Sequence, residues 1–182
     1  MKNIKNSLIY CISAFVGLFT FVFFAIPYLT AFAKVWGHKG KENLNGYEIM
    51  NLWENGFCGV MVSLLQIFVL VAAVVLLAWG ALGILKEFGI LKEFPIQIAG
   101  VEPKKLSFFA LATYVALNVL LLIFLIAFVI ANTESGKYAS AGFSLAAGEF
   151  ITLVISGCAV AAPIVLDKYV FNKKEEAAEK AE

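Results

Sequence analysis

The sequence predicts an all-α membrane protein: a bundle of four transmembrane helices with a short interfacial helix on its outer side. Three observations lead there. Hydrophobic residues make up 62% of the 182 positions and charged residues only 15%, where a soluble domain carries about a quarter charged residues. Four long apolar stretches, at about 8–33, 57–85, 106–131 and 145–166, each reach the ~20 residues that carry a helix across ~30 Å of hydrocarbon. No stretch alternates polar and apolar residues in the ten-residue pattern of a membrane barrel, so helices are the way to satisfy the backbone in lipid. By length, residues 1–182 form a single membrane domain.

The first stretch admits a second reading. Lys2 and Lys5 precede it, and Ala31-Phe32-Ala33 after Pro27 has the form of a signal-peptidase site. The apolar run before Pro27 is about nineteen residues, longer than the usual 7–15, which favours retention as helix 1. Residues 34–56 form the longest loop. Asn45-Gly46 marks a turn, and Ile49, Leu52 and Trp53 then recur at i, i+3 and i+4. That spacing predicts a short helix lying on the outer surface and covering the bundle end.

Helix 2 runs into a perfect tandem hexapeptide, Gly83-Ile84-Leu85-Lys86-Glu87-Phe88 and then Gly89-Ile90-Leu91-Lys92-Glu93-Phe94. The repeat is expected to carry the helix out of the bilayer until Pro95 interrupts it. Two seams of mostly small or polar residues suit close left-handed packing of helices 1 and 2. One is Ser13, Gly17, Thr20, Phe24, Pro27 and Ala31; the other is Gly59, Ser63, Gln66, Leu70, Ala73, Leu77 and Gly80. Helix 4 adds Gly157 and Ala161 as a small-xxx-small pair. The 168–182 tail is Lys, Glu and Ala-rich, a charged segment without core-forming residues.

Lysine distribution orients the chain. The N-terminus, the second loop and the tail hold ten lysines, against four in the first and third loops. The lysine-rich side is cytoplasmic by the positive-inside rule, placing both termini there. The all-Lys usage suggests an AT-rich bacterial coding bias, so the expected location is a bacterial plasma membrane. Residues near Gly40 then face outside, and those near Gly100 and the tail face the cytoplasm. Tyr28, Trp36, Trp53 and Tyr138 at one end, and Tyr10, Trp79, Tyr114 and Tyr169 at the other, read as two aromatic belts.

Several function classes drop out by inventory. The basic residues are all Lys, without one Arg, which argues against sites that depend on bidentate recognition. A net charge of +1 offers no field for nucleic acid. Cys11, Cys58 and Cys158 form no CxxC pair and read as small apolar fillers. His38 stands alone in a loop, without partners for a metal or a catalytic triad. Ser135-Gly136-Lys137 lacks the upstream glycine of a phosphate loop. No enzyme activity, cofactor, metal or nucleic acid is expected.

The candidates that remain are intramembrane polar residues: Thr20, Gln66, Asn118 and Ser156 near mid-depth of helices 1 to 4, and Glu149 near the outer end of helix 4. Glu149 lies about four residues inside its span, shallow enough to reach headgroups or water. Gln66 is expected to face the bundle interior, with Thr20 as its first partner and Asn118 as its second.

Trp36, Leu52-Trp53 and Cys58, in the first outer loop of a four-span chain, are similar to the claudin loop signature. The resemblance covers about twenty residues. Asn51 stands where that signature has Gly, a second Cys is missing and the loop is short, so the resemblance implies neither the claudin disulfide nor its sheet and paracellular surface here. The expected role is that of a non-enzymatic accessory or scaffold protein acting through helix–helix and outer-loop contacts. Its partners are the lipid bilayer and either another copy of itself or another membrane protein. The competing role is a small oligomeric transporter or channel using Glu149 and the mid-membrane polar residues.

Overall fold

The computed structural model describes residues 2–35, 38–94, 102–135 and 139–166. Trp36, Pro95, Gly100, Gly136, Lys137, Tyr138, Tyr169 and the 168–182 tail lie outside them. The chain is mostly helical. Helix α1 covers Lys2–Phe23, α2 Gly56–Glu87, α3 Pro103–Ala131 and α4 Ala147–Leu166. Among the described residues, α2, α3 and α4 are long and apolar enough to cross a membrane. The apolar part of α1, Ser7–Phe23, is shorter.

The expected first span, 8–33, is therefore corrected at its end. Pro27 has no amide hydrogen and disfavours helical geometry in the residue before it. The chain winds down through Ala25 N–H to Val22 O and Ile26 N–H to Phe23 O, at 3.1 and 2.9 Å, and then extends. Strand β1, Pro27–Val35, follows and turns back as β2, His38–Asn45. After α3 come β3, Glu134–Ser135, and β4, Ala139–Leu145. The four form one antiparallel sheet in the order β2-β1-β4-β3, so segments expected as helix and loop become strands. The sheet was not anticipated because each loop alone is short; it takes strands from both.

Pairing assigns side chains to the two sheet faces, because cross-strand partners share a face and neighbours along a strand alternate. Lys34 pairs with Lys39, Phe32 with Lys41 and Thr30 with Asn43, while Ser140 and Ser144 of β4 oppose Lys34 and Thr30. One face thus carries Lys34, Lys39 and Lys41, all exposed. The other carries Leu29, Ala31, Leu44 and Phe143, and the Phe143 ring packs at a tilt against Phe128 of α3 with centroids 4.9 Å apart.

By contacts the chain divides into two units. The sheet unit is 19–71 with 114–154; the terminal unit is 1–18, 72–113 and 155–182. In the terminal unit the seam holds. Gly17 lies against the backbone of Ala73 and Leu77, and Gly80 against that of Tyr10 and Ala14, so α1 and α2 touch backbone to backbone. Gly83 receives the Tyr10 ring. The tandem hexapeptide splits here: its first copy is helix, whereas Gly89 adopts φ +74° and ends α2. Ile90 N–H bonds Leu85 O and Gly89 N–H bonds Lys86 O, both at 3.0 Å, a Schellman stop. Gly89 ends the helix ahead of the expected Pro95. The second copy folds back so that Phe94 packs on Trp79 and Tyr10, at 5.0 and 5.9 Å, with Lys86 Nζ 5.1 Å above its ring.

In the sheet unit the α2 seam serves a different neighbour. Gly59 packs on the Leu52 carbonyl, and Ser63 Oγ donates to Ile49 O and accepts from Leu52 N–H. The partner is a 3-10 helix, Glu48–Glu54, with Ile49 and Leu52 buried and Trp53 exposed. The backbone departs from helical geometry at Asn51 and Leu52, so the segment is two short turns joined by a kink, with Ile49 and Leu52 turned inward. This replaces the surface-lying α-helix expected from Ile49, Leu52 and Trp53. Cys11 and Cys158 are exposed and Cys58 is half-buried, and all three are free thiols.

Candidate functional site

Polar side chains buried in an apolar unit need partners within it, since an unsatisfied group costs roughly several kcal/mol. In the sheet unit, Thr20, Gln66, Asn118, Glu149 and Thr152 are at most 1% exposed, and Tyr28 and Tyr114 are equally buried. The two phenols organise the group. The Tyr28 hydroxyl lies 2.9 Å from Thr152 Oγ1. Thr152 spends its single proton on Gly148 O at 2.9 Å, so Tyr28 is the donor in their bond. The Tyr114 hydroxyl pairs with Thr20 Oγ1 at 2.7 Å.

Backbone contacts hold these side chains in place. Tyr28 is fixed through its carbonyl, which accepts the Ala146 N–H at 2.9 Å just before α4 begins. Its ring lies against Gly148, where a methyl would come within 2.6 Å of Cδ2, and meets Phe24 edge-on at 6.1 Å. Burial pushes the Tyr28 phenol well above its ordinary range; the Thr152 hydrogen bond opposes this, while nearby Glu149 and Tyr114 add to it. Tyr28 therefore stays neutral at physiological pH and acts as a hydrogen-bond donor.

Gln66, Asn118 and Glu149 complete the cluster with atoms that have no partner. The Gln66 amide sits beside the Tyr28 hydroxyl and against Gly46, where a methyl would lie 2.9 Å from Nε2. Neither amide atom makes a well-formed hydrogen bond. Asn118 Nδ2 donates to Tyr114 O at 2.8 Å, which assigns the amide and leaves Oδ1 unpartnered. Glu149, in the first turn of α4, is within electrostatic reach of both phenols, and both its oxygens are unpartnered.

Four of the five sequence candidates, Thr20, Gln66, Asn118 and Glu149, thus converge in one unit. Ser156 is buried and belongs to the terminal unit. Three expectations change. Thr20 pairs with Tyr114, not Gln66: α1 ends at Phe23, so Thr20 lies in its last turn instead of mid-helix. Glu149 is fully buried, where headgroup or water contact was expected. Tyr10, Tyr28 and Tyr114, assigned to the aromatic belts, are core residues. Tyr28 and Tyr114 were missed for that reason; Thr152 was missed although it stands three residues from Glu149 on one helix face.

The Thr20–Tyr114 bond can be tested directly. Thr20→Val and Tyr114→Phe should each lower stability by about 1 kcal/mol and together cost clearly less than their sum. Denaturation in detergent measures the cycle, and full additivity would show that the hydroxyls do not interact.

An open groove of about 390 Å³ between the end of α3 and the sheet is lined by Ala31, Asn132, Glu134 and Phe143 among others, and none of the cluster residues line it. Among the described residues, no group of three or more His, Cys, Asp or Glu could hold a metal ion. No family model, curated protein or solved structure matches the chain.

Proposed function

We propose that the chain is a four-span protein of the bacterial plasma membrane with both termini cytoplasmic. In this reading it serves as a non-enzymatic accessory protein whose outer sheet docks on an acidic surface of another membrane protein. Helix α1, at 22 residues, is about 33 Å long and serves as the fourth span. The observation that carries the reading is the segregation of charge on the sheet. Lys34, Lys39 and Lys41 share one face, and no acidic side chain joins them there among the described residues. Glu42 and Glu134 fall on the opposite face, the one that carries Phe143 against α3.

A basic face repels its own copy and steers an acidic partner, with a salt-sensitive contribution. The other surfaces offer less. The β4 edge is filled by Thr133 Oγ1, which accepts from Phe143 N–H and donates to Phe143 O, both at 3.2 Å. The β2 edge carries lysines, a common guard against indiscriminate strand pairing.

A cysteine at Gly40, in a background lacking the three native ones, tests orientation and partner together. A membrane-impermeant thiol–diazirine crosslinker applied to intact cells should react at position 40 and not at a cysteine replacing Lys92. It should give one protein adduct that disappears when Lys34, Lys39 and Lys41 are all changed to Glu. Reaction at 92 but not at 40 overturns the orientation. Labelling at 40 with no adduct, or with one indifferent to charge reversal, overturns the partner.

A further inference from the structure

The polar cluster of the sheet unit contains more than its internal hydrogen bonds explain. Its unpartnered buried atoms are Glu149 Oε1 and Oε2, Gln66 Oε1, Asn118 Oδ1 and Gln66 Nε2: four acceptors and one donor. Three of the four hydroxyl protons nearby have acceptors within the cluster. Thr152 donates to Gly148 O, Tyr28 donates to Thr152, and one proton is taken up between Thr20 and Tyr114.

We propose that these oxygens bind a small monovalent cation inside the sheet unit, with the Glu149 carboxylate and the amide oxygens of Gln66 and Asn118 as the principal donors. The donor set is all oxygen, the choice of hard cations. A single carboxylate balances one positive charge, and a divalent ion would be left with an unneutralised charge in an apolar surrounding. Sodium, potassium and ammonium share the required chemistry. The cation sits on the residues that join the sheet to its helices: Tyr28 of β1 and Thr152 of α4 are next to Glu149 and Gln66. Its effect is to hold β1 and the start of α4 together from within. The cluster side chains are at most 1% exposed, so the ion is a resident of the fold and not cargo in transit. This site does not depend on the acidic-partner reading, whose residues lie elsewhere on the sheet.

The test is thermal unfolding of the full chain in detergent at constant ionic strength, with sodium, potassium or ammonium chloride compared with N-methylglucamine chloride. Matching ionic strength removes general screening. At least one of the three cations should raise the midpoint by about 3–6 °C in a saturable manner, the size expected for a ligand held well above its dissociation constant. Glu149→Gln, which keeps size and removes charge, should abolish the shift. If that variant does not fold, Asn118→Ser should weaken the apparent affinity at least tenfold. Radioactive sodium, or rubidium in place of potassium, retained by the purified wild type gives an independent reading. Equal midpoints in all four salts overturn the site, and so does a cation-specific shift that survives in Glu149→Gln. Which cation gives the shift separates the sources.

Discussion

Replacing Tyr28 with alanine should destabilise the protein by about 3–5 kcal/mol, the range for removing a large buried aromatic ring. Tyr28 is completely buried, and its ring fills the space between Phe24 and Gly148. No side chain can grow from Gly148 to refill that space, so the cavity persists. Tyr28→Phe keeps the ring and loses only the bond to Thr152 at 2.9 Å, an expected cost of about 1 kcal/mol. Unfolding in mild detergent, followed through the fluorescence of the three tryptophans, separates the two. Equal losses in both variants would mean that the hydroxyl, not the packing, ties β1 to α4.

A second large effect is expected at Gly17. A methyl there would lie 2.6 Å from the Ala73 carbonyl oxygen, 2.6 Å from the Leu77 nitrogen and 2.8 Å from Leu77 Cβ. Two of those atoms are backbone and cannot rotate away, so Gly17→Leu must force α1 and α2 apart. The cost should reach about 3 kcal/mol or more, the upper end of overpacking penalties. Gly157→Leu is the matched control. Nothing among the described residues lies within 4 Å of a methyl at 157, and the change should fall within about 0.5 kcal/mol. The same denaturation experiment decides, and comparable losses at the two positions would refute the close approach of α1 to α2.

The contrast between these glycines shows how far the sequence could be read. Gly17 belonged to a long seam matched by small residues on helix 2, and the terminal unit uses that seam as expected. Gly157 with Ala161 had the same local pattern, yet no neighbour among the described residues reaches Gly157. A small residue permits a close approach but does not create one; the partner surface must also be present.

What the sequence determined by itself is whatever depends on composition over many residues. Runs of Leu, Val, Ile, Phe and Ala long enough to span a membrane specify α2, α3 and α4 within a few residues of their observed ends, because a backbone in apolar surroundings has helix as its local solution. The burial of Gln66 and Asn118 also follows from their place in those runs. Tertiary structure alone decided the rest. The two copies of Gly-Ile-Leu-Lys-Glu-Phe are identical, yet one is helix and the other is loop. Gly83 packs under Tyr10, while Gly89 turns left-handed and lets Phe94 reach Trp79. The segment after Pro27 reads as apolar helix until strands from both loops supply its hydrogen bonds on either side. Likewise the tyrosines read as interfacial rings until Thr20 and Thr152, far away in the chain, provide partners for their hydroxyls. Hydrogen-bond partners and packing neighbours distant in sequence leave no local signal, so the sheet and the polar cluster appear only when the chain is folded.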